Sequence, residues 1–249
     1  MKDKKKSNTL PVSDYYVKLL SREETVSVYR QLAPLHFPED ELKPVSAIEA
    51  LFDQNAYLGL GLYLQSDNSG MAEEDHPLLG YALFLTIPKL DTVLLDYYAI
   101  LEQYRDLGLG SIFLQELKNH FKDYHGIFIE TEAPDSATDE EERLLRNRRN
   151  AFYYKNGAHR TDIACTLFGV PFNILFLTCH DEPSQPRKSS PQEQQESCKN
   201  AQPQESSPQE QQESCTHAQP QEPSLRDKLD AIYRFMLPET SYAQNLLWR

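Results

Sequence analysis

A long segment with almost no apolar side chains limits how this chain can fold. Residues 181–223 consist mainly of Gln, Glu, Pro and Ser, and they contain a 17-residue unit, SSPQEQQESCKNAQPQE, that is repeated at once as SSPQEQQESCTHAQPQE. Repeats that stack into solenoids bury an apolar face, which these units lack. Because burial cannot offset the entropy of ordering them, we predict a disordered linker. The folded core must then come from residues 1–180, with residues 224–249 as a separate C-terminal segment.

The charge of the chain narrows its possible partners. It has 38 acidic and 25 basic residues, a formal net charge of −13. An acidic surface is repelled by phosphate backbones and anionic lipids, so we expect neither nucleic acid nor a membrane as partner. A cationic acceptor or a basic partner is easier to accommodate. The basic run Lys4-Lys5-Lys6 is expected only to keep the terminus solvated.

The distribution of apolar residues and of cysteines indicates the cellular compartment. The N-terminal lysines are not followed by an apolar stretch, and no apolar run approaches the 18 or so residues of a membrane span, so we expect neither a signal peptide nor a span. Cys165, Cys179, Cys198 and Cys215 show no Cys-x-x-Cys or Cys/His ligand spacing. We therefore predict a cytoplasmic protein with free thiols, buried at Cys165 and Cys179, and no metal site.

Helix signals recur along residues 1–180. Ser21 and Glu24 have the spacing of a capping box, which predicts a helix that ends before Pro34. Thr138 and Glu141 predict a second capping box, and Gly157 stands where a left-handed C-terminal cap belongs. The predicted helices are residues 21–33, 45–53, 109–123 and 138–156.

Strand patterns fill the intervals between these helices. The resulting order is β-α-α-β-β-β-α-β-α-β-β, which indicates an α/β fold with a mixed sheet and helices on both of its faces. A hairpin is expected between the second and third strands, joined by a loop at residues 66–77. The predicted strands are residues 15–21, 56–65, 78–87, 92–101, 126–132, 159–168 and 172–179.

The C-terminal segment contains one amphipathic helix. Ser224 is its predicted cap and Pro238 its end. A helix this short is marginal in isolation, so its apolar face must dock on something. We expect it to dock on the globular domain, with a separate partner as the alternative. That face carries Leu225, Leu229, Ile232, Tyr233 and Met236.

A glycine-containing turn has the chemistry of an anion site. Arg105, Gly108 and Gly110 form an Arg-x-x-Gly-x-Gly pattern between a buried strand and a helix. Without Cβ atoms, backbone N–H groups can approach a phosphate, and the helix N-terminus adds free donors. A P-loop is excluded because no Gly-Lys-Ser/Thr follows, and a dinucleotide fingerprint because the third glycine is absent. A tight strand-to-helix turn is the remaining alternative.

The surroundings of this turn resemble the GNAT family of N-acetyltransferases. Its signature, Q/R-x-x-G-x-G/A between the fourth strand and the next helix, matches Arg105, Gly108 and Gly110. An acidic residue on the following strand matches Glu130, and a Tyr-x-x-x-Gly pattern at the end of the next helix matches Tyr153. The resemblance spans residues 15–179. It implies a GNAT-like fold, a central mixed sheet of about seven strands flanked by helices.

The resemblance also implies acetyl-CoA as co-substrate. Backbone groups of Tyr98, Ala99 and Ile100 would pair with the pantetheine arm. An N–H near Ile100 would hydrogen-bond the thioester carbonyl. The pyrophosphate would be cradled by Arg105, Asp106, Leu107, Gly108, Leu109, Gly110 and Ser111.

Catalytic roles follow from the same resemblance. Glu130 would take a proton from the acceptor amine, directly or through water, and Tyr153 would protonate the departing thiolate. Glu132 shares a strand face with Glu130 because side chains alternate, so it could help to bind a cationic acceptor. The rival interpretations are an exposed strand end for Glu130 and sheet packing for Tyr153.

Some positions depart from the family pattern. Asp106 is acidic where the family commonly has a small or basic residue, which is unfavourable beside a pyrophosphate unless the side chain turns to solvent. The arginines of the following helix are expected to lie on a solvated face and to form ion pairs with residues 140–142. Alternatively, one of them binds a CoA phosphate. They are Arg146, Arg148 and Arg149.

Two functions therefore stay open. The first is an N-acetyltransferase acting on a primary amine of a small molecule or peptide, with another acyl-CoA as a variant. The second is a catalytically silent binding or scaffold module. The residues expected to select the acceptor, at 37–53, 66–77 and the Gly169 turn, carry no recognisable code, and the sequence does not indicate the oligomeric state.

Overall fold

The computed structural model of the protein describes residues 15–65, 76–180 and 222–249. The predictions for the N-terminal lysines, for most of the 66–77 loop and for the repeat linker with Cys198 and Cys215 lie outside these residues. The C-terminal segment Ser224–Arg249 belongs to the same compact unit as the residues up to His180.

One mixed sheet of eight strands organises the described residues, in the spatial order β1-β2-β3-β4-β5-β7-β6-β8. The β4–β5 pair is parallel and each of the other neighbouring pairs is antiparallel. This confirms the predicted α/β mixed sheet and the β2–β3 pairing. The strands are β1 (Tyr15–Leu20), β2 (Tyr57–Leu64), β3 (Leu78–Thr86), β4 (Thr92–Ile100), β5 (Gly126–Glu132), β6 (His159–Leu167), β7 (Val170–Thr178) and β8 (Leu246–Trp248).

Helices cover both faces of the sheet. The predicted capping box at Ser21 and Glu24 is present, but its helix runs past Pro34 instead of ending before it. Proline has no N–H to donate, but in the last turn of a helix this loss removes few of the helical hydrogen bonds. After Pro34 the Phe37 N–H still donates to the Ala33 carbonyl at 3.0 Å. The helices are α1 (Arg22–His36), α2 (Val45–Asp53), α3 (Leu109–His120), α4 (Glu140–Lys155), α5 (Leu225–Met236) and α6 (Glu239–Asn245).

The N-terminal cap of α4 lies one residue later than predicted. Asp139, not Thr138, accepts the N–H of Glu142, at 2.8 Å, because its carboxylate also complements the positive end of the helix. At the other end, Gly157 has φ 93° and occupies the left-handed cap position as predicted.

Two apolar clusters lie on opposite faces of the sheet. On the face that we call the α1/α5 face, Tyr29 and Ile48 pack with Leu229 and Ile232 of the C-terminal helix. On the α3/α4 face, the apolar sides of α3 and α4 cover the sheet. Alternate side chains of a strand therefore point into different clusters.

The C-terminal segment is joined to the rest of the fold at several points. A capping box formed by Ser224 and Asp227 starts α5. The buried Lys228 ammonium bonds the Asp91 carboxylate at 2.7 Å. After α6 the chain returns as β8, which pairs with β6 between Cys165 and Leu167. Neither α6 nor β8 is predicted from the sequence, since both are too short to show a periodicity.

Two further properties of the described residues bear on function. No helix among them is long and apolar enough to cross a bilayer. Cys165 and Cys179 are buried free thiols, as predicted, and burial raises the pKa of the Cys165 thiol to about 12.

Candidate active site

The parallel strands β4 and β5 separate half-way along their length. They pair only from Thr92 opposite Gly126 to Leu95 opposite Ile129. Beyond this point β4 continues against β3 to Ile100, while β5 continues against β7 to Glu132. The edge of β4 that faces β5 is left without a strand partner, so its backbone groups are available to an extended ligand.

A β-bulge at Asp96 marks the place where the strands part. Leu83 is paired with Tyr97 and Phe84 with Leu95, which leaves Asp96 without an opposite residue. A bulge bends its strand and redirects a side chain. The Asp96 carboxylate, 3% exposed, accepts the Lys43 ammonium at 2.5 Å and the Tyr57 hydroxyl at 2.6 Å.

Lys43 reaches Asp96 because its backbone is held on both sides. Its N–H donates to the Tyr97 hydroxyl at 3.1 Å and its carbonyl accepts the Tyr29 hydroxyl at 2.6 Å. Burial alone would lower the pKa of Lys43, but the Asp96 charge and hydrogen bond outweigh it, so the pKa is raised. A charged ammonium therefore lies where β4 and β5 diverge.

The turn before α3 has the backbone of an anion cradle. Asp106 and Gly108 have positive φ values of 62° and 82°, and this alternation points successive N–H groups to one side. Among the described residues, none accepts a hydrogen bond from the amides of residues 106–110. A Cβ at Gly108 would meet no atom within 4 Å, so space adjoins the turn there. The Asp106 side chain is exposed, which reduces its repulsion of a bound anion.

Gly110 has a packing role besides the predicted one. A Cβ there would lie 3.3 Å from the Phe152 ring of α4, so the glycine allows α3 and α4 to approach closely. The Tyr98 hydroxyl donates to the Gly110 carbonyl at 2.6 Å, and the Tyr98 ring stacks on Phe113 with centroids 5.6 Å apart. The side chain of Tyr98 thus fastens α3 to β4.

Arg105 braces the turn from its exposed position. Its Nε donates to the Ile100 carbonyl at 3.1 Å, and its own N–H donates to the Glu102 carbonyl. The Ile100 carbonyl, on the strand edge where the pantetheine arm is predicted to bind, is therefore already bonded by Arg105. The turn is stabilised by this contact without a basic side chain at its centre.

Glu130 lies on β5 immediately after the point of separation and faces α5. It is partly buried, and its carboxylate accepts the hydroxyl hydrogen of Tyr233. Burial raises its pKa, the Tyr233 hydrogen bond and the Lys43 charge oppose that rise, and the Asp96 charge adds to it. The carboxyl group therefore holds a proton more tightly than an exposed glutamate does.

Tyr153 lies on the α3/α4 face, opposite to Glu130. Its side chain is 7% exposed and packs with the cluster of that face. Burial raises its pKa to about 12, although the charge of Arg149 lowers it. No acceptor is found for its hydroxyl in the part of the chain that the structure describes. The phenol is therefore protonated at neutral pH and free to donate.

A comparison of the sequence with family models identifies a domain in the chain. The model described as the acetyltransferase (GNAT) family matches residues 27–140. The chain carries a GNAT domain. The match includes the divergence of β4 and β5, the turn at Gly108 and Glu130, and it ends before Tyr153.

Comparison with solved structures finds the fold of this GNAT domain in the first of three proteins, and the other two are similar to a lesser degree. A protein from Bacteroides thetaiotaomicron assigned to the GNAT acetyltransferases has a TM-score of 0.50 at 15% identity, covering 66% of this chain and 86% of that one. The Escherichia coli ribosomal-protein-S18-alanine N-acetyltransferase scores 0.43 at 17% identity, covering 66% and 94%. Vibrio cholerae spermidine N-acetyltransferase, in complex with CoA and spermine, scores 0.46 at 10%, covering 67% and 96%. No match was found among curated proteins.

One arginine of α4 departs from the predicted solvated face, whereas Arg148 and Arg149 are exposed as predicted. Arg146 is buried, not solvated, and bonds Glu132 at 2.7 Å and Glu142 at 2.6 Å. Arg149 adds a second bond to Glu132 at 3.2 Å. A buried guanidinium requires such partners, and β5 supplies one of them. Since two cations already neutralise Glu132, its predicted part in binding a cationic acceptor loses its basis.

Three side chains of the site were missed by sequence reasoning. Asp96 gave one signal, a single carboxylate within an apolar strand, which indicates a partner but not its identity. Lys43 and Tyr233 gave none, because each reaches the site from a distant segment. Within residues 15–65, 76–180 and 222–249, no group of His, Cys, Asp or Glu is arranged to hold a metal ion.

Proposed function

We propose that this chain is an acetyl-CoA-dependent N-acetyltransferase in which Glu130 is the base and Tyr153 the acid. One observation carries the proposal, the separation of β4 from β5 after Leu95 and Ile129. Glu130 lies beside this opening on one face of the sheet and Tyr153 on the other. An acceptor and a thioester could therefore meet between the strands, each beside one of the two side chains.

The residues around the opening fit acetyl-CoA. The amides of residues 106–110 suit a pyrophosphate, and open space adjoins Gly108. The edge of β4 at Tyr98, Ala99 and Ile100 has no strand partner and suits the amide groups of the pantetheine arm, although Arg105 already bonds the Ile100 carbonyl. Bound there, acetyl-CoA would supply an acyl group on a thioester that an amine can attack directly.

Glu130 would prepare the acceptor. An alkylammonium with a pKa of about 10 has no free electron pair, so a base must remove a proton before attack. Burial raises the pKa of Glu130, which brings the carboxylate closer to the basicity that the task requires. The ammonium of Lys43 and the carboxylate of Asp96 compensate each other, so Glu130 supplies the local negative charge for a cationic amine.

Tyr153 would protonate the leaving thiolate. Its pKa of about 12 keeps it protonated until it is needed. An ordinary thiol has a pKa of about 8.5, so transfer to the thiolate is unfavourable in water. A thiolate between the same buried residues loses its hydration as well, which raises its basicity and reduces the mismatch.

A thermal-denaturation experiment with acetyl-CoA tests the cofactor. Ligand at 100 times its Kd should stabilise the protein by about 2.7 kcal/mol and raise Tm. The variant Gly108→Trp, which fills the open space, should lose most of this shift. An unchanged Tm at millimolar acetyl-CoA would contradict the proposal and favour the binding or scaffold module.

Variants at the two side chains test the chemistry. Glu130→Gln and Tyr153→Phe should each lower kcat by about 10²- to 10⁴-fold, with the acetyl-CoA-induced rise in Tm preserved. Tyr154→Phe is the matched control, since Tyr154 is adjacent and 43% exposed. The readout is CoA release with a panel of polyamines, amino sugars and peptides. Full turnover by Tyr153→Phe would remove its assigned role.

A further inference from the structure

The C-terminal helix brings a tyrosine to the proposed base, Glu130, from far along the chain. Tyr233 of α5 is completely buried, and its hydroxyl donates to the Glu130 carboxylate, 103 residues earlier in the sequence. The same oxygen lies 3.7 Å from the Cys165 sulfur on β6. Glu130 itself stays partly accessible. Tyr233 therefore occupies one side of the carboxylate and leaves another side free.

The position of this hydroxyl is held by contacts outside the site. Lys228, five residues before Tyr233, is anchored to Asp91, the residue that precedes β4. Trp248 of β8 packs on the Tyr233 ring with centroids 5.6 Å apart. The pairing of β8 with β6 holds Trp248 in turn. A phenol fixed by independent contacts can orient a carboxylate with little further loss of entropy.

We propose that Tyr233 is a positioning residue of the acetyl-transfer site, holding the Glu130 carboxylate in its ionised form and in one orientation. This inference rests on the proposed function, because it matters for turnover only if Glu130 is the base. It assigns the C-terminal segment a part in catalysis that residues 15–179 alone would lack.

The sign of the effect follows from the groups that face Glu130. They are Tyr233 from α5, Lys43 before α2, Asp96 on β4 and Cys165 on β6. A hydrogen bond donated to a carboxylate favours its charged form, as does the Lys43 cation, whereas burial and Asp96 disfavour it. Removal of the Tyr233 hydroxyl should therefore raise the pKa of Glu130 further.

A carboxyl titration in the full chain measures this directly. The Glu130 side-chain carbon is followed by ¹³C NMR in protein labelled at glutamate, and its resonance is assigned by its absence in Glu130→Gln. In Tyr233→Phe the midpoint should rise by about one pH unit or more. The acid limb of kcat/KM for the best amine of the panel should move by the same amount, while KM for acetyl-CoA stays constant.

A matched control exists in the same segment. Tyr242 donates its hydroxyl to Asp230, away from Glu130. Tyr242→Phe removes an equivalent hydrogen bond and should leave the Glu130 midpoint unchanged. If Tyr233→Phe does not fold, 3-fluorotyrosine at position 233 keeps the ring and strengthens the donor, and the midpoint should then fall.

The possible results separate this inference from the proposed function. A midpoint that is the same in wild type, Tyr233→Phe and the fluorinated protein would overturn the inference, as would a uniform loss of activity without a shift in pH. Full turnover by Glu130→Gln would overturn the base itself. An inactive Glu130→Gln together with a shifted midpoint in Tyr233→Phe would support both.

Discussion

Breaking the ion pair between Asp96 and Lys43 should destabilise the fold, and the two single variants should differ. Asp96→Asn leaves the Lys43 ammonium, whose side chain is 25% exposed, without its anion. Lys43→Met leaves the Asp96 carboxylate, 3% exposed, without its cation. An ammonium that is partly exposed can turn to water, but the carboxylate cannot. Lys43→Met should therefore cost more than Asp96→Asn.

The magnitudes follow from these two exposures. A solvent-exposed pair contributes at most about 1 kcal/mol, whereas removing one partner of a buried pair costs about 3–5 kcal/mol. Asp96→Asn should fall between these limits, at about 2 kcal/mol, since the asparagine also keeps an acceptor for the Tyr57 hydroxyl. Lys43→Met should reach the upper range. The double variant should recover much of the loss, because no uncompensated charge remains.

Urea denaturation of the wild type, both single variants and the double variant completes a mutant cycle. A coupling energy of about 2 kcal/mol or more would support the reasoning. Arg143→Gln, which breaks the exposed pair with Glu140, is the control and should cost less than 1 kcal/mol. The reasoning would be refuted if the two single variants had additive effects, or if Lys43→Met lowered the free energy of unfolding less than Asp96→Asn does.

Three further predictions follow from the described contacts. Gly108→Ala should destabilise the protein by about 1–2 kcal/mol in urea denaturation, since φ is 82° and no neighbour obstructs the added methyl group; a neutral result would contradict the backbone geometry. Leu229→Ala should cost about 2–5 kcal/mol because Leu229 is 0% exposed, against less than 0.5 kcal/mol for Leu247→Ala at 62%, and equal losses would contradict the docking of α5. Because burial raises the pKa of Glu130, the acid limb of the kcat/KM pH profile should lie above the ordinary glutamate pKa of about 4.5. Lys43→Met should move this limb higher still, because it removes a charge that lowers the pKa of Glu130. A limb that stays in place in this variant would argue against Glu130 as the titrating base.

Much of the fold could be predicted because it is encoded in neighbouring residues. Strand alternation and helical periodicity are properties of short segments, so α2 (Val45–Asp53) and β5 (Gly126–Glu132) have the predicted bounds. The left-handed Gly157 is also a local requirement. The end of α1 was wrong because the cost of Pro34 depends on where in the last turn it falls.

The candidate site was predictable only in part, for the same reason. The Arg105–Gly110 turn could be singled out because its pattern lies within six residues, but the positive φ at Gly108 was not predicted. The assigned reason for Gly110 was incomplete, because its neighbour Phe152 comes from another helix. The environment of Glu130 was not predictable at all, since its partner Tyr233 follows a long segment with no structural signal.

Local pattern decided the order of strands and helices, the glycine-containing turn before α3 and the resemblance to a known family, because each depends on side chains a few residues apart. Tertiary packing decided what faces each functional group. It placed Lys43 on Asp96, Arg146 on Glu132 and Tyr233 on Glu130, and added β8 to the sheet. Such contacts depend on how distant segments meet, and the energies that select them are summed over the whole core, so no short stretch of sequence encodes them.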